Sequence, residues 1–186
     1  MKRTVIGRKP TNTLTFPDPR RDHIQGSPEA AITLLEYGDY ECPYCGEIYP
    51  IVKAIQERLG DDLCFAFRNF PLTTVHPHAE HAAEAAEAAA AQGKFWEMHD
   101  MLFENQEALE DEDLAQYAAA LGLNVPRLMA EVIEGAYAER VRQDFTTGVR
   151  AGVNGTPSFF INGERYDGAR GLEALLAALR AAGEMS

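Results

Sequence analysis

The chain has 186 residues, of which 17 are Lys or Arg and 29 are Asp or Glu, giving a formal net charge of -12 at pH 7. At 46% hydrophobic and 25% charged, it reads as one globular domain, or one domain carrying an insertion, which excludes disorder and collagen-like structure. The acidity argues against nucleic acid or anionic lipid as a partner, because phosphate contacts need clustered Lys and Arg, and no run approaches the roughly eighteen apolar residues of a membrane span.

Residues 1 to 24 are polar, carry Pro10, Pro17 and Pro19, and gather Lys2, Arg3, Arg8, Lys9, Arg20 and Arg21. They are expected to form an extended or disordered arm. Residues 1 to 30 hold no apolar core of the roughly 7 to 15 residues that a secretory signal needs, so the expected location is cytoplasmic unless a signal was removed before numbering.

Ala31 to Tyr37, bounded by Ser27-Pro28 and Gly38-Asp39, suits a strand buried on both faces. A helix is expected from Pro43 to Leu59, with Ile48, Val52, Ile55 and Leu59 on one stripe, Gly60 as its stop and Pro50 as the cause of a kink. Leu63 to Phe70 reads as a second strand, completing a parallel β-α-β unit. Five helices should follow between His76 and Gly148: His78 to Ala91, then one each around Phe95, Leu114 and Leu128, then Tyr137 to Thr147. Ser158 to Ile161, Asn162-Gly163 and Arg165-Tyr166 spell a hairpin. A last helix through Leu172, Leu175, Leu176 and Leu179 should end near Gly183. The layout is α/β: β-α-β, a helical insert, then β-β-α.

The chemistry-bearing feature is Cys42-Pro43-Tyr44-Cys45, between an expected strand and an expected helix. Spacing of two on a first helical turn brings both sulfurs within reach of one disulfide, and Pro43 is tolerated there because early helix N–H groups have no intrahelical partner. The helix N-terminus favours a thiolate at Cys42, which makes Cys42 the expected nucleophile and Cys45 the resolving thiol. The competing readings are a zinc half-site, which would need a second pair, and an inert structural pair. No metal is expected. Cys64 reads as a buried apolar thiol, with a regulatory thiol as the alternative. His76, His78 and His81 lie close enough to suggest a metal site, but Pro77 breaks the helical register between the first two, and His78 and His81 read as solvent-facing residues of a helix start rather than as ligands.

The chain resembles DsbA-like members of the thioredoxin superfamily, in which a helical domain interrupts the thioredoxin fold. The resemblance rests on Glu36-Tyr37-Gly38-Asp39-Tyr40-Glu41-Cys42-Pro43-Tyr44-Cys45, Phe67-Arg68-Asn69-Phe70-Pro71-Leu72, Gly93-Lys94-Phe95-Trp96-Glu97-Met98-His99-Asp100 and Gly152-Val153-Asn154-Gly155-Thr156-Pro157-Ser158-Phe159. It covers Gly26 to Leu179 and implies a thioredoxin-like core over residues 25 to 75 and 149 to 186, with an all-helical insertion over 76 to 148. It also implies that Pro157 is a cis-proline beside the cysteine pair and that the Thr156 backbone pairs with extended substrate. Glu36, six residues before Cys42, matches the place of a buried acid that relays a proton to or from the resolving cysteine; the alternative is a solvated strand-end acid.

The implied function is thiol-disulfide exchange with protein or small thiols, needing no cofactor but a redox partner to recycle the pair. The alternatives are a redox-idle peptide-binding or chaperone module and a glutathione-transferase-like enzyme. Pro43-Tyr44 is the dipeptide between the cysteines of glutaredoxins, and Asp39 and Glu41 are acids expected to oppose a thiolate. Both suggest a middling potential.

Overall fold

The computed structural model describes residues 15–185. Its five strands are β1 (His23–Gly26), β2 (Ile32–Gly38), β3 (Leu63–Asn69), β4 (Ser158–Ile161) and β5 (Glu164–Tyr166). Helix α1 (Pro43–Leu59) joins β2 to β3. Helices α2 (Ala79–Ala90), α3 (Phe95–Glu104), α4 (Asp111–Ala120), α5 (Val125–Ile133) and α6 (Ala138–Arg150) lie between β3 and β4, and α7 (Leu172–Glu184) closes the chain.

The strands form one sheet in the order β1-β3-β2-β4-β5. β2 and β3 are parallel, as a crossover through α1 requires, and every other pairing is antiparallel. Asn162 and Gly163 both take positive φ between β4 and β5, the conformation that a two-residue hairpin demands and that Asn-Gly adopts at low cost.

The alternation of β2 sorts its side chains between two cores. Leu34 joins a cluster with Phe65, Phe67, Phe159 and residues of α1, α3 and α7. Leu35 and Tyr37 join a smaller one with Ala66, Phe70, Val153 and Phe160. Phe145 of α6 stacks on Phe70 in the smaller core, ring centroids 4.2 Å apart. Gly148 permits that approach, since a Cβ there would lie 2.7 Å from the Phe70 ring.

The arm was expected to run to residue 24, yet β1 begins at His23 and pairs antiparallel with β3. The described residues before β1 are fastened as well. The Thr15 N–H donates to the Gly163 carbonyl at 2.8 Å, and Asp22 takes a two-pronged bond from Arg68 at 3.0 and 2.7 Å. The remainder of the expected arm, residues 1–14, lies outside the described residues. Gly183, expected as a helix stop, lies inside α7. A Cβ there would sit 2.7 Å from Ile32 Cγ1, so this glycine serves close packing of the helix on the sheet.

A buried polar seam ties the N-terminal segment, the sheet and the helical segment together. Arg68 also donates to the Tyr37 hydroxyl at 2.8 Å. Asp144 of α6, wholly buried, accepts from the Asn69 N–H at 3.1 Å and from the guanidinium groups of Arg21 and Arg140. Glu87 of α2 accepts from the Asn69 side chain and pairs with His23, each at 2.9 Å. Each buried charge thus meets an opposite charge or a donor, the condition for keeping it away from water.

Candidate active site

Cys42 is the N-cap residue of α1, with φ -75 and ψ 120, and Pro43 occupies the first helical turn. The Cys42 carbonyl accepts from the N–H groups of Cys45 and Gly46 at 3.0 and 3.1 Å, which starts the helix and folds Cys45 back toward Cys42. Both cysteines are free thiols. Cys42 keeps 3% of its surface exposed and Cys45 none, so Cys42 is the sulfur that a partner can meet.

Thr156 and Pro157 arrive from the loop before β4, joined by a cis peptide bond. Cys42 Sγ lies 3.6 Å from the Thr156 carbonyl oxygen. The Thr156 hydroxyl is buried and makes no hydrogen bond among the described residues, an unspent donor at the site. The structure therefore brings Cys42, Cys45, Thr156 and Pro157 to one place. Tyr44 points out to solvent, 65% exposed, next to the pair.

The two thiols are driven apart in acidity. The Cys45 thiol, then the Thr156 hydroxyl and the backbone N–H groups of Cys45 and Tyr44, favour the Cys42 thiolate and bring its pKa down to about 5 against an opposing burial penalty. Burial, and then the Cys42 sulfur itself, push Cys45 well above the ordinary thiol range. Donors at a helix start that act only on the charged form are the usual means of activating a thiol.

Glu36 lies on β2 at 3% exposure, so the alternative of a solvated strand-end acid is excluded. Strand alternation puts its side chain on the Leu34 face, the one packed against α1. Burial raises its carboxyl to about 8, against a weaker pull from Arg170. Its charge is felt at Cys45.

Asp39 and Glu41 behave otherwise than expected from their neighbourhood in sequence. The buried Asp39 carboxylate accepts from the N–H groups of Glu41 and Leu72 and from His76 Nδ1, each at 2.8 Å. Glu41 accepts from the N–H and Nδ1 of His78 at 2.7 and 2.9 Å. Neither acid is among the leading influences on Cys42, whose thiol is lowered rather than raised. His81 pairs with Asp111 at 2.7 Å, so all three histidines have carboxylate partners. Among the described residues no three His, Cys, Asp or Glu side chains gather as a metal site. Cys64 is buried in β3, where burial raises its thiol.

Sequence reasoning missed the contacts that the helical segment makes with this loop. The Tyr40 hydroxyl shares a 3.0 Å hydrogen bond with Nδ1 of the buried His99, whose ring burial holds neutral by lowering its pKa to about 3. Gln106, beyond α3, donates to the carbonyls of Tyr40 and Cys42 at 2.7 and 2.9 Å. The one available signal is Gly46, a glycine in the first turns of α1.

A family profile described as Thioredoxin matches residues 19–181. The chain belongs to the thioredoxin family. Its fold is that of BdbD from Bacillus subtilis, with a TM-score of 0.83 at 22% identity over 94% of this chain and 100% of that one. A thioredoxin-like oxidoreductase from Silicibacter pomeroyi superposes with a TM-score of 0.80 at 25% identity, over 91% and 95% of the two chains. For alpha-DsbA1 of Wolbachia pipientis the values are 0.79, 20%, 92% and 95%. The DsbA-like α/β fold, a thioredoxin sheet with helices between β3 and β4, is thus shown. In sequence, the Na(+)/H(+) antiporter NhaA 3 of Salinispora tropica is 47% identical over 167 residues, which are 89% of this chain and 25% of that protein. NhaA 1 of Mycobacterium sp. (strain KMS) is 44% identical over 172 residues, 91% of this chain and 28% of that protein. The chain spans about a quarter of the length of these curated relatives. None of its described helices is long and apolar enough to cross a membrane.

Proposed function

We propose that this thioredoxin-family chain is a thiol-disulfide oxidoreductase acting through Cys42 and Cys45 on protein or small thiols. The observation that carries this is the position of Cys42 at the N-cap of α1, 3.6 Å from the Thr156 carbonyl before the cis Pro157, with the fully buried Cys45 one turn on; the split in acidity between the two thiols follows from it. In the reducing direction the Cys42 thiolate attacks one sulfur of a substrate disulfide. A Cys42–substrate disulfide forms, and the other substrate sulfur leaves as a thiolate and takes a proton. Cys45 then gives up its proton and attacks Cys42 Sγ, so that the second substrate thiolate departs and the Cys42–Cys45 disulfide closes.

Ionised Glu36 is the acceptor for the Cys45 proton, and protonated Glu36 returns it in the opposite direction; a carboxyl near 8 populates both forms close to neutrality. Thr156 offers its backbone to an extended substrate beside Pro157, and Pro43 and Tyr44 tune the pair. In this reading residues 76 to 148 are an insertion that walls the site, and a second protein recycles the pair. A peptide-binding module with an idle pair, or a glutathione-transferase-like enzyme, would have no use for so acidic a thiol beside a second cysteine.

Equilibration of the reduced and oxidised chain against glutathione tests the proposal. A Cys42 acidity between those of thioredoxin, near 7, and DsbA, near 3.5, predicts a potential between their roughly -270 and -120 mV. A pair that does not exchange with glutathione, or one with a potential below the thioredoxin value, would contradict it.

A further inference from the structure

We propose that Gln106 is a positioning residue that fixes the loop presenting Cys42, and that residue 46 is glycine to make room for it. This rests on the exchange function proposed above. The Gln106 carboxamide spends its donor nitrogen on two backbone carbonyls, those of Tyr40 and Cys42, at 2.7 and 2.9 Å. These carbonyls flank Glu41, so one side chain holds the backbone on both sides of the residue that leads into the nucleophile. The same stretch is held from the side-chain direction. The Tyr40 ring lies against Phe103, centroids 4.8 Å apart, and its hydroxyl meets His99 at 3.0 Å. Three residues of the helical segment, all in or just after α3, therefore grip the loop before Cys42.

Gly46 supplies the second, independent observation. It sits in the first turns of α1, where glycine costs helix stability relative to alanine, and its φ is not positive, so the backbone does not call for glycine. A Cβ at this position would run into the Gln106 side-chain oxygen and lie 2.7 Å from its Cδ. The carboxamide is the movable partner in that collision. Alanine at 46 should displace Gln106 from the two carbonyls while the helix stays intact.

With the clamp in place, the Cys42 backbone is held so that Sγ faces the Cys45 thiol and Thr156. Without it the loop can turn Sγ away from those donors, and the thiolate loses part of its advantage. This predicts a signature that general destabilisation does not give: a change in the acidity of Cys42 in a protein that remains folded.

The experiment measures the pH midpoint of Cys42 alkylation by iodoacetamide in the reduced full chain, for wild type, Gln106→Ala and Gly46→Ala, with circular dichroism to establish folding. Both folded variants should shift the midpoint upward by about one pH unit, roughly a tenfold change in the thiol–thiolate equilibrium. Should Gln106→Ala unfold, Gly46→Ala carries the test alone. A wild-type midpoint in either folded variant overturns the proposal. Alkylation reads the sulfur without requiring turnover, so an inactive wild type would sink the exchange function and leave this result readable.

Discussion

Cys42→Ser should reduce disulfide exchange, followed as insulin reduction by dithiothreitol, to the rate seen without protein. A serine hydroxyl is not ionised near neutrality and cannot form a mixed disulfide, so no other part of the site compensates. Cys45→Ser should behave differently. The nucleophile survives, but the mixed disulfide with substrate has no internal thiol to resolve it and should accumulate as a covalent adduct visible by mass. Loss of the Cys45 thiol also removes the largest single influence favouring the Cys42 thiolate, so trapping should slow at acidic pH relative to the wild-type first step. A wild-type rate no higher than that seen without protein, and unchanged in Cys42→Ser, would show that the pair is idle, and the peptide-binding reading would take its place.

The largest effect on stability is expected at Asp144. Its carboxylate is wholly buried and receives three donors, the Asn69 N–H, Arg21 and Arg140. Asp144→Ala takes the shared carboxylate from two partly buried guanidinium groups, leaving them only the longer carboxylate contacts to Asp22 and Glu87 at 3.5 and 3.9 Å, and orphans a buried backbone N–H at the end of β3. Breaking such a pair from one side costs about 3 to 5 kcal/mol, or roughly 6 to 20 °C in Tm for a chain of this size. Asp144→Asn keeps a side-chain acceptor and should cost less. Asp18 is paired with Arg20 at the surface, Arg20 being 89% exposed, and its replacement by alanine should leave the unfolding midpoint close to that of the wild type. Denaturant titration of the reduced protein checks all three. Equal losses for Asp18→Ala and Asp144→Ala would mean that the seam does not hold the helical segment to the sheet.

The elements readable from the sequence were those with a strong local pattern. The apolar stripe of α1, the double-sided apolar run of β2 and the Asn162-Gly163 turn each state their conformation within a few residues. β1 does not, because His23–Gly26 is a four-residue edge strand without alternation, specified by the backbone groups that β3 offers it. The site divides in the same way. Cys42 and Cys45 were marked by spacing, and Thr156 and Pro157 by resemblance. The acids were misjudged because adjacency in sequence is not adjacency of charge. Asp39 and Glu41 flank the nucleophile by number, yet their carboxylates are turned onto His76, His78 and the Leu72 N–H, 33 to 37 residues further along the chain. Gln106 was invisible for the same reason. Only the packing of the helical segment over the loop puts a carboxamide against two carbonyls more than 60 residues earlier.

The sign of the Cys42 shift decides the account. A thiolate favoured by donors persists as pH falls, so the reduced protein should react with iodoacetamide at Cys42 at a rate that drops only below about pH 5. The measurement is the pH profile of that single-site alkylation, read by mass spectrometry on the full chain with all three cysteines present. A midpoint near 5 at Cys42, with Cys45 and Cys64 unreactive across the range, is the predicted result. A midpoint at the ordinary thiol value, or faster labelling of Cys45 than of Cys42, would contradict it.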